Sequence, residues 1–547
     1  MKLLCIIVLF SCLGTSLQRS TAQDDHYVAA VVEYIVDRNV QSNRANYVRL
    51  IHEAAEQGAD IVVFPELTLT NNTTSFPVPF HSLLKQYPVP ALHPNLYDEL
   101  LVAMSVAARD DQIYVVLNVR ELMDCTQDTG EYCPEEKQYI FNTNVVFDRT
   151  GAVIDRYRKI NLFGEFSHTP ALHPDLGVFT TDFGVTFGHF ICFDLMFQVP
   201  AVQVVQKVNI TDVIFTTMWF SELPYLTAVQ IQEAYAYALN INFLASGANN
   251  VAVGSAGSGI YSGKAGALTS IMPGVPTTKL LVAKVPKAPG QVTEKYPGPI
   301  YDNPSDHDGL KLITDPSLPS HISRPLAQGF QEFTLVDKDV SCTFRVRLNQ
   351  RNGDTMPRFR AFVFDGSNTY ARREIGTVQC LITACKGDDA KSCGYKYNHE
   401  QENAVFEELE IEMSTYRSEY NTTLRCDNAM YYPGSVRDSK FPLSPKNFTY
   451  IVQKNEKSNT CDEDFEDDNE NTISVLQNEI LQKRGSKEKL LYKINVPQND
   501  LVAFGIYGRT FTRDVDHNNK DVTEDDLRRF NNIMDDIYAS SDKYKDD

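Results

Sequence analysis

From residue 27 to about residue 284, apolar and polar positions alternate between two periods. Residues 27–35 form a β-branched apolar run that reads as a strand. Residues 43–57 follow, with Tyr47, Ile51 and Ala54 on one helical face and Gly58 as the stop. The run 61–64 is continuously apolar, the pattern of a strand buried on both faces. A helix over 96–109 and a strand over 113–119 repeat that order. Residues 144–147 and 153–157 predict a hairpin around Arg149-Thr150-Gly151. A strand over 183–191 is expected next, then a helix opening at Pro200 with Ala201, Val204, Val205 and Val208 at helical spacing. Strand 213–217, helix 228–239 and strand 241–245 close the series. Strands alternating with helices in this way predict an α/β layered domain.

The pattern changes near Pro299. Residues 299–320, rich in Pro, Asp, Ser and Gly, read as a linker or irregular segment. Beyond it, clustered cysteines and alternating strands such as 342–348 and 360–364 predict a smaller, β-rich, disulfide-stapled domain over 321–510. An acidic polar tail follows from 511 to 547, and the acidic run 461–470 reads as a solvated loop. At the other end, Lys2 precedes an apolar run from 3 to 13 and then small and polar residues up to Ala22. That is the pattern of a secretory signal peptide over 1–22, with a run too short to span a bilayer of about 30 Å. The first domain is therefore expected over 23–298. The polar C-terminus offers no apolar tail for a lipid-anchor signal, which predicts a soluble, extracellular protein with no transmembrane segment.

With 547 residues the chain exceeds what one core supports, in keeping with two domains. A net charge of −20 repels phosphate backbones and anionic headgroups, which argues against nucleic-acid binding and polybasic membrane docking. Of eleven cysteines, Cys5 and Cys12 fall in the leader and nine remain, an odd number for an exported chain. Cys125 and Cys133 flank one loop, and the six from Cys342 onward are expected to pair among themselves. Cys192 is then left with a free thiol. Asn71, Asn72, Asn209, Asn421 and Asn447 each begin an N-x-S/T triplet and are candidate glycosylation sites.

Three reactive side chains follow predicted strands of the first domain: Glu66 in FPEL, Lys159 in RYRKINLF and Cys192 in CFD. Carboxyl ends of neighbouring strands converge on the crevice where α/β sheets hold ligands. A carboxylate, an ammonium and a thiol gathered there suit acyl transfer, because a thiol with pKa near 8.5 needs a base to become a nucleophile at neutral pH. Lys159 and the backbone N–H of Phe193 are candidate donors to the oxyanion that attack creates. No metal or organic cofactor is needed for this chemistry, and the expected partner is a small-molecule amide.

The three motifs, in this order and spacing, resemble the Glu, Lys and Cys motifs of the nitrilase superfamily. The runs PYLTAV (224–229), NFLAS (242–246) and GSGIY (257–261) resemble its vanin and biotinidase branch. The resemblance implies an α-β-β-α sandwich carrying an extra C-terminal domain, and hydrolysis of a linear carbon–nitrogen amide bond. It further implies Glu66 as general base, Lys159 as oxyanion stabiliser, Cys192 as nucleophile, and Glu165 as a positioning residue. Within that branch the expected reaction is pantetheine to pantothenate and cysteamine, with biotinyl amide hydrolysis as the alternative. A secreted binding protein that keeps the fold is a second class, although no triad member is missing.

Other readings are weaker. His189, three residues before Cys192 on one strand, should point away from it, against a Cys–His pair. His168 and His173 lack companion ligands for a metal. Asp514 to Lys520 begins like a calcium loop, but Asn519 stands where glycine is required.

Overall fold

A strand of period two offers alternate residues to opposite faces, and the strand His26–Ile35 uses both. Ala30, Val32 and Tyr34 pack toward the helices Val40–Glu56 and Glu99–Asp110, against Tyr47, Leu50 and Met104. Tyr27, Ala29 and Val31 face the other way, onto Phe187, Ile214 and Leu244 of a second sheet. This explains why the sequence runs are apolar throughout. The computed structural model describes residues 19–71, 73–126, 133–173, 175–306, 308–350, 358–395, 404–416, 420–453 and 487–516. The apolar leader run, Asn72, the acidic run 461–470 with Cys461, and the tail beyond residue 516 lie outside the described residues.

In the first sheet His26–Ile35 and Ile61–Val63 pair in parallel, as do Ile61–Val63 and Tyr114–Asp124. Gln138–Phe147 and Val153–Arg158 then continue it as antiparallel neighbours. The second sheet runs through the parallel strands Thr186–Ile191, Asp212–Thr217 and Asn242–Asn249. A short parallel pairing, Tyr34 with Ala248 and Ile35 with Asn249, joins the two. The helix Ala228–Leu239 covers the outer face of the second sheet and is itself buried along its length. Two sheets between helical layers make the α-β-β-α sandwich of the nitrilase fold.

The helix expected from Pro200 is present, with Ala201, Val204 and Val205 buried, but it is shorter than its apolar spacing suggested. A π-type turn spans Gln198–Val202, α-helix holds only over Gln203–Gln206, and Val208 is exposed. A residue before proline is pushed to extended backbone, and Val199 has φ −109° and ψ 120°. Residues 19–22, at the end of the expected leader, are docked: Arg19 donates to the carbonyls of Ala59 and Asp111, and the Ser20 N–H donates to Asp60.

The C-terminal region is a β-sandwich. One sheet orders Ile322–Pro325, Arg358–Tyr370, Arg373–Cys385, Leu501–Thr510 and Ala429–Arg437. The other orders Gly329–Asp337, Val340–Gln350, Ala404–Tyr416, Lys487–Ile494 and Phe448–Gln453. Cys342–Cys380 bonds one sheet to the other, while Cys385–Cys393 and Cys125–Cys133 each close a short loop. Cys192 is unpaired, as the cysteine count expected. Cys426 is also buried and without a disulfide among the described residues, and Cys461, the cysteine left to pair with it, lies outside them. Residues 299–320 are threaded along the first domain: Gly298–Ile300 pairs with Gly266–Ile271, and Ile313–Thr314 pairs with Glu222–Leu223. The beginning of the acidic tail is likewise fixed, with Phe511 buried and Asp514 bonded to Arg509. That bond already occupies the first acid of the calcium-like run. Among the described residues no helix is long and apolar enough to cross a membrane.

Candidate active site

Glu66 follows the strand Ile61–Val63, Lys159 follows Val153–Arg158, and Cys192 follows Thr186–Ile191. All three strands run in one direction, so these residues meet at the shared carboxyl end, two from one sheet and one from the other. Cys192 sits in left-handed backbone (φ 48°) at the turn from the strand into the 3-10 helix Cys192–Met196. That conformation costs a non-glycine residue ~1–2 kcal/mol. It presents the thiol next to the first helical N–H groups, which have no intrahelical acceptor; the N–H of Phe193 is among them.

The ammonium of Lys159 donates to Glu66 Oε1 and to Glu165 Oε1, each at 2.7 Å. Asn142 Nδ2 donates to the same two oxygens, at 2.7 and 2.9 Å. The remaining carboxylate oxygens accept from backbone: Glu66 Oε2 from the N–H of Met218 at 2.8 Å, Glu165 Oε2 from that of Phe163 at 2.7 Å. Cys192 Sγ donates to the carbonyl of the same Met218 at 3.6 Å. Lys159 is 1 % exposed and Glu66 2 %. Two carboxylates thus share one cation in a dry site, and Asn142 and two N–H dipoles carry the uncompensated charge.

Burial works against the Lys159 ammonium, but Glu165 and Glu66 outweigh it and hold the group protonated well above the usual lysine range. Burial likewise pushes the Cys192 thiol up; Glu66 adds to this and Lys159 opposes it. The resting sulfur is therefore a thiol, and nucleophilic attack requires a base at that moment. Asp194 fastens the Cys192 turn to the lysine segment, accepting from Tyr157 Oη at 2.7 Å and from the backbone and side chain of Asn161 at 2.8 and 2.9 Å. Burial raises its carboxyl to about 6 although these donors pull it down.

The cavity beside Cys192 has a volume of about 60 Å³, so an acyl group entering it touches the walls. Phe163, Phe193, Met196, Trp219, Phe220 and Leu226 supply apolar surface. Phe163 contacts both Phe193 and Phe220, with ring centroids 4.9 and 6.0 Å apart. A larger cleft of about 620 Å³ lies elsewhere, at Arg156, Arg158, Glu121 and His173, and holds none of the three reactive groups.

Two histidines stand apart from the thiol. His189 is fully buried and bonded to Asp155 at 2.8 Å, and His168 is half-buried beside Glu165, its imidazole pushed down to about 4 by desolvation. With His173 in the other cleft, the two candidate metal ligands are not brought together; among the described residues no three His, Cys, Asp or Glu groups gather to hold a metal. Asn71, Asn209, Asn421 and Asn447 lie in loops or at element ends and are at least partly exposed.

The sequence reading missed Asn142, the Met218 amide and the bracing by Asp194. A signal for the first existed: Asn118, Asn142 and Asn144 interrupt apolar strand runs, and Asn118 Nδ2 donates to both of the others, at 2.8 and 3.1 Å. Polar residues on a buried strand face require partners, and here they build the floor of the site.

Residues 28–271 match the carbon-nitrogen hydrolase family and residues 310–514 match the vanin C-terminal domain. Vanin-like protein 1 of Drosophila melanogaster is 34 % identical over 81 % of this chain and 82 % of its own length. The chain belongs to the vanin and biotinidase branch of the nitrilase superfamily. Vanin-like protein 3 of the same organism is 37 % identical, covering 80 % of this chain and 85 % of that one. The pantetheinase of Mus musculus is 28 % identical over 63 % of this chain and 68 % of its own length. This vanin-family chain is accordingly a carbon–nitrogen amide hydrolase, with both the catalytic and the C-terminal vanin modules.

Proposed function

We propose that this chain is a secreted pantetheinase-like amidohydrolase, releasing pantothenate and cysteamine from pantetheine through a thioester on Cys192. The observation that supports it best is the Met218 peptide unit. Its N–H holds Glu66 while its carbonyl accepts from the Cys192 thiol, so base and nucleophile share one rigid mount.

In this reading Glu66 takes the thiol proton as Cys192 Sγ attacks the amide carbon. The oxyanion is stabilised by the Lys159 ammonium and the Phe193 N–H, preorganised charge and dipole in a low-dielectric site. Collapse expels the amine, which recovers the proton from Glu66. Glu66 then activates a water that hydrolyses the thioester and frees the acid. Glu165 holds Lys159 beside Glu66 without taking the proton. The free thiol, the paired cysteines and the sequons suit an oxidising, extracellular compartment.

Purified protein incubated in parallel with pantetheine and biotinyl amides is expected to release cysteamine from the first and little biotin from the second. Cys192→Ala is expected to abolish turnover while circular dichroism and secretion are kept. Biotin release as the faster reaction would replace the substrate assignment, and turnover surviving in Cys192→Ala would refute the thioester mechanism.

A further inference from the structure

One carboxyl lines the Cys192 cavity and takes no part in the chemistry above. Glu222 sits in the two-residue strand Glu222–Leu223, which is held in parallel register by Ile313–Thr314. The residue is 8 % exposed, and its neighbours along the cavity wall are aromatic or aliphatic. Tyr370, from the C-terminal domain, donates its hydroxyl to Glu222 Oε1 at 2.8 Å and packs its ring 6.3 Å from that of Phe193. Oε2 has no protein partner among the described residues. The Trp219 indole N–H, also on the wall, is already bonded to the carbonyl of Leu226 at 2.8 Å.

A carboxyl oxygen without a protein partner, on a cavity wall that is otherwise apolar, is the acceptor there that a ligand can engage. We propose that Glu222, positioned by Tyr370 across the domain boundary, is the polar anchor that selects a neutral, hydroxyl-bearing acyl arm. The inference rests on the amide hydrolase reading and adds a specificity residue to it.

The chemistry of the wall narrows the choice of ligand group. Burial and the nearby Asp315 raise the Glu222 carboxyl to about 7, against a smaller opposing effect of the Tyr370 hydrogen bond, so both protonation states are populated at neutral pH. Tyr507 is the further titratable group near it, and burial keeps that phenol protonated. A hydroxyl donates to the carboxylate and accepts from the carboxylic acid, so it pairs with both forms. A substrate carboxylate would be repelled by the ionised form, and an ammonium would lose its hydration to an aromatic sleeve. Asp315 does not compete as anchor: its oxygens accept from Ser317 at 2.8 Å and from Asn368 at 3.3 Å.

The test is a series of acyl amides with one leaving amine, hydroxylated at successive chain carbons, compared with the unsubstituted chain. In the parent protein one hydroxyl position is expected to raise kcat/KM at least tenfold over the plain chain. Glu222→Ala should lower that ratio to within about threefold of unity, and Glu222→Gln should keep part of it. Tyr370→Phe keeps the ring packing and removes only the positioning hydroxyl; it should raise KM for the preferred amide with little change in kcat. Binding of the same pair to Cys192→Ala protein by calorimetry should show the same preference without turnover. An undiminished preference in Glu222→Ala, or in Tyr370→Phe should Glu222→Ala fail to fold, overturns the anchor. Preferential binding with no turnover of any amide by the parent would instead overturn the hydrolase reading and leave the anchor standing.

Discussion

Glu66 and Glu165 bond Lys159 at the same distance, 2.7 Å, and differ only in what their other oxygens touch. Glu66 reaches the Met218 unit that also holds the thiol, whereas Glu165 reaches Phe163 on the lysine loop. Only Glu66 is therefore placed to exchange a proton with Cys192. Glu66→Gln is expected to cut kcat about 10³-fold, within the range for loss of a general base. Glu165→Gln should cost about tenfold to a hundredfold and leave the acylation burst visible in single-turnover kinetics. Equal losses, with the burst gone in both, would mean that the two acids act only as a pair of counter-ions. At this scale the sequence was informative wherever a reactive residue type lies within three residues of a strand's carboxyl end, as with Glu66, Lys159 and Cys192. It was silent on Met218, because a main-chain N–H and carbonyl look the same under any side chain.

The strand His26–Ile35 illustrates the next scale, since its apolar run contains one acid. Glu33 is fully buried and accepts from Asn249 Nδ2 at 2.8 Å, from Ser258 Oγ, and from the N–H of Gly257. Burial still dominates these donors and raises the carboxyl to about 7. A folded-state pKa above the unfolded value near 4.3 means that the native state binds the proton more tightly between those limits. Its stabilising contribution is complete below about pH 4 and falls as pH rises toward 7, by ~4 kcal/mol at most. Glu33→Gln is thus expected to unfold at higher urea than the parent at pH 8, and this advantage should shrink to nothing by pH 4.5. A pH-independent difference would show that Glu33 is not titrating in the fold. Elements themselves were legible where period and burial agree, as in Val40–Glu56 with Tyr47, Ile51 and Ala54 inward. The segment after Pro200 is helical only as far as Gln206, so the apolar spacing that includes Val208 runs past the point where the helix ends.

At the scale of the whole molecule, the boundary drawn from composition divides what packing unites. One continuous apolar cluster runs from Phe190, Phe215 and Tyr235 of the first domain to Tyr432, Phe504 and Tyr507 of the second. Tyr225 meets Tyr507 at 5.2 Å and Tyr237 meets Phe448 at 5.1 Å, ring to ring across the boundary. Composition near residue 299 could signal a change of character but not that the segment pairs with strands on the way. A charged tie crosses the boundary as well: Arg509, a guanidinium with no exposed surface. It donates to the carbonyl of Met196, on the turn that carries Cys192, at 2.8 Å, to that of Gly376, and to both oxygens of Asp514. Independent domains would melt separately. A shared core with a buried charge at its centre argues instead for one cooperative unit. Scanning calorimetry of the full chain should show a single transition, with loss of amidase activity at the same temperature. Arg509→Met removes the donor to two buried carbonyls and leaves Asp514 with only the Gly376 N–H, at a cost of ~3 kcal/mol for breaking a buried pair. It should lower that one transition by several degrees without splitting it. Two resolved transitions, with activity following only the first, would mean that the C-terminal sandwich is an accessory and that its Tyr370 reaches the active-site cavity without stabilising the catalytic fold.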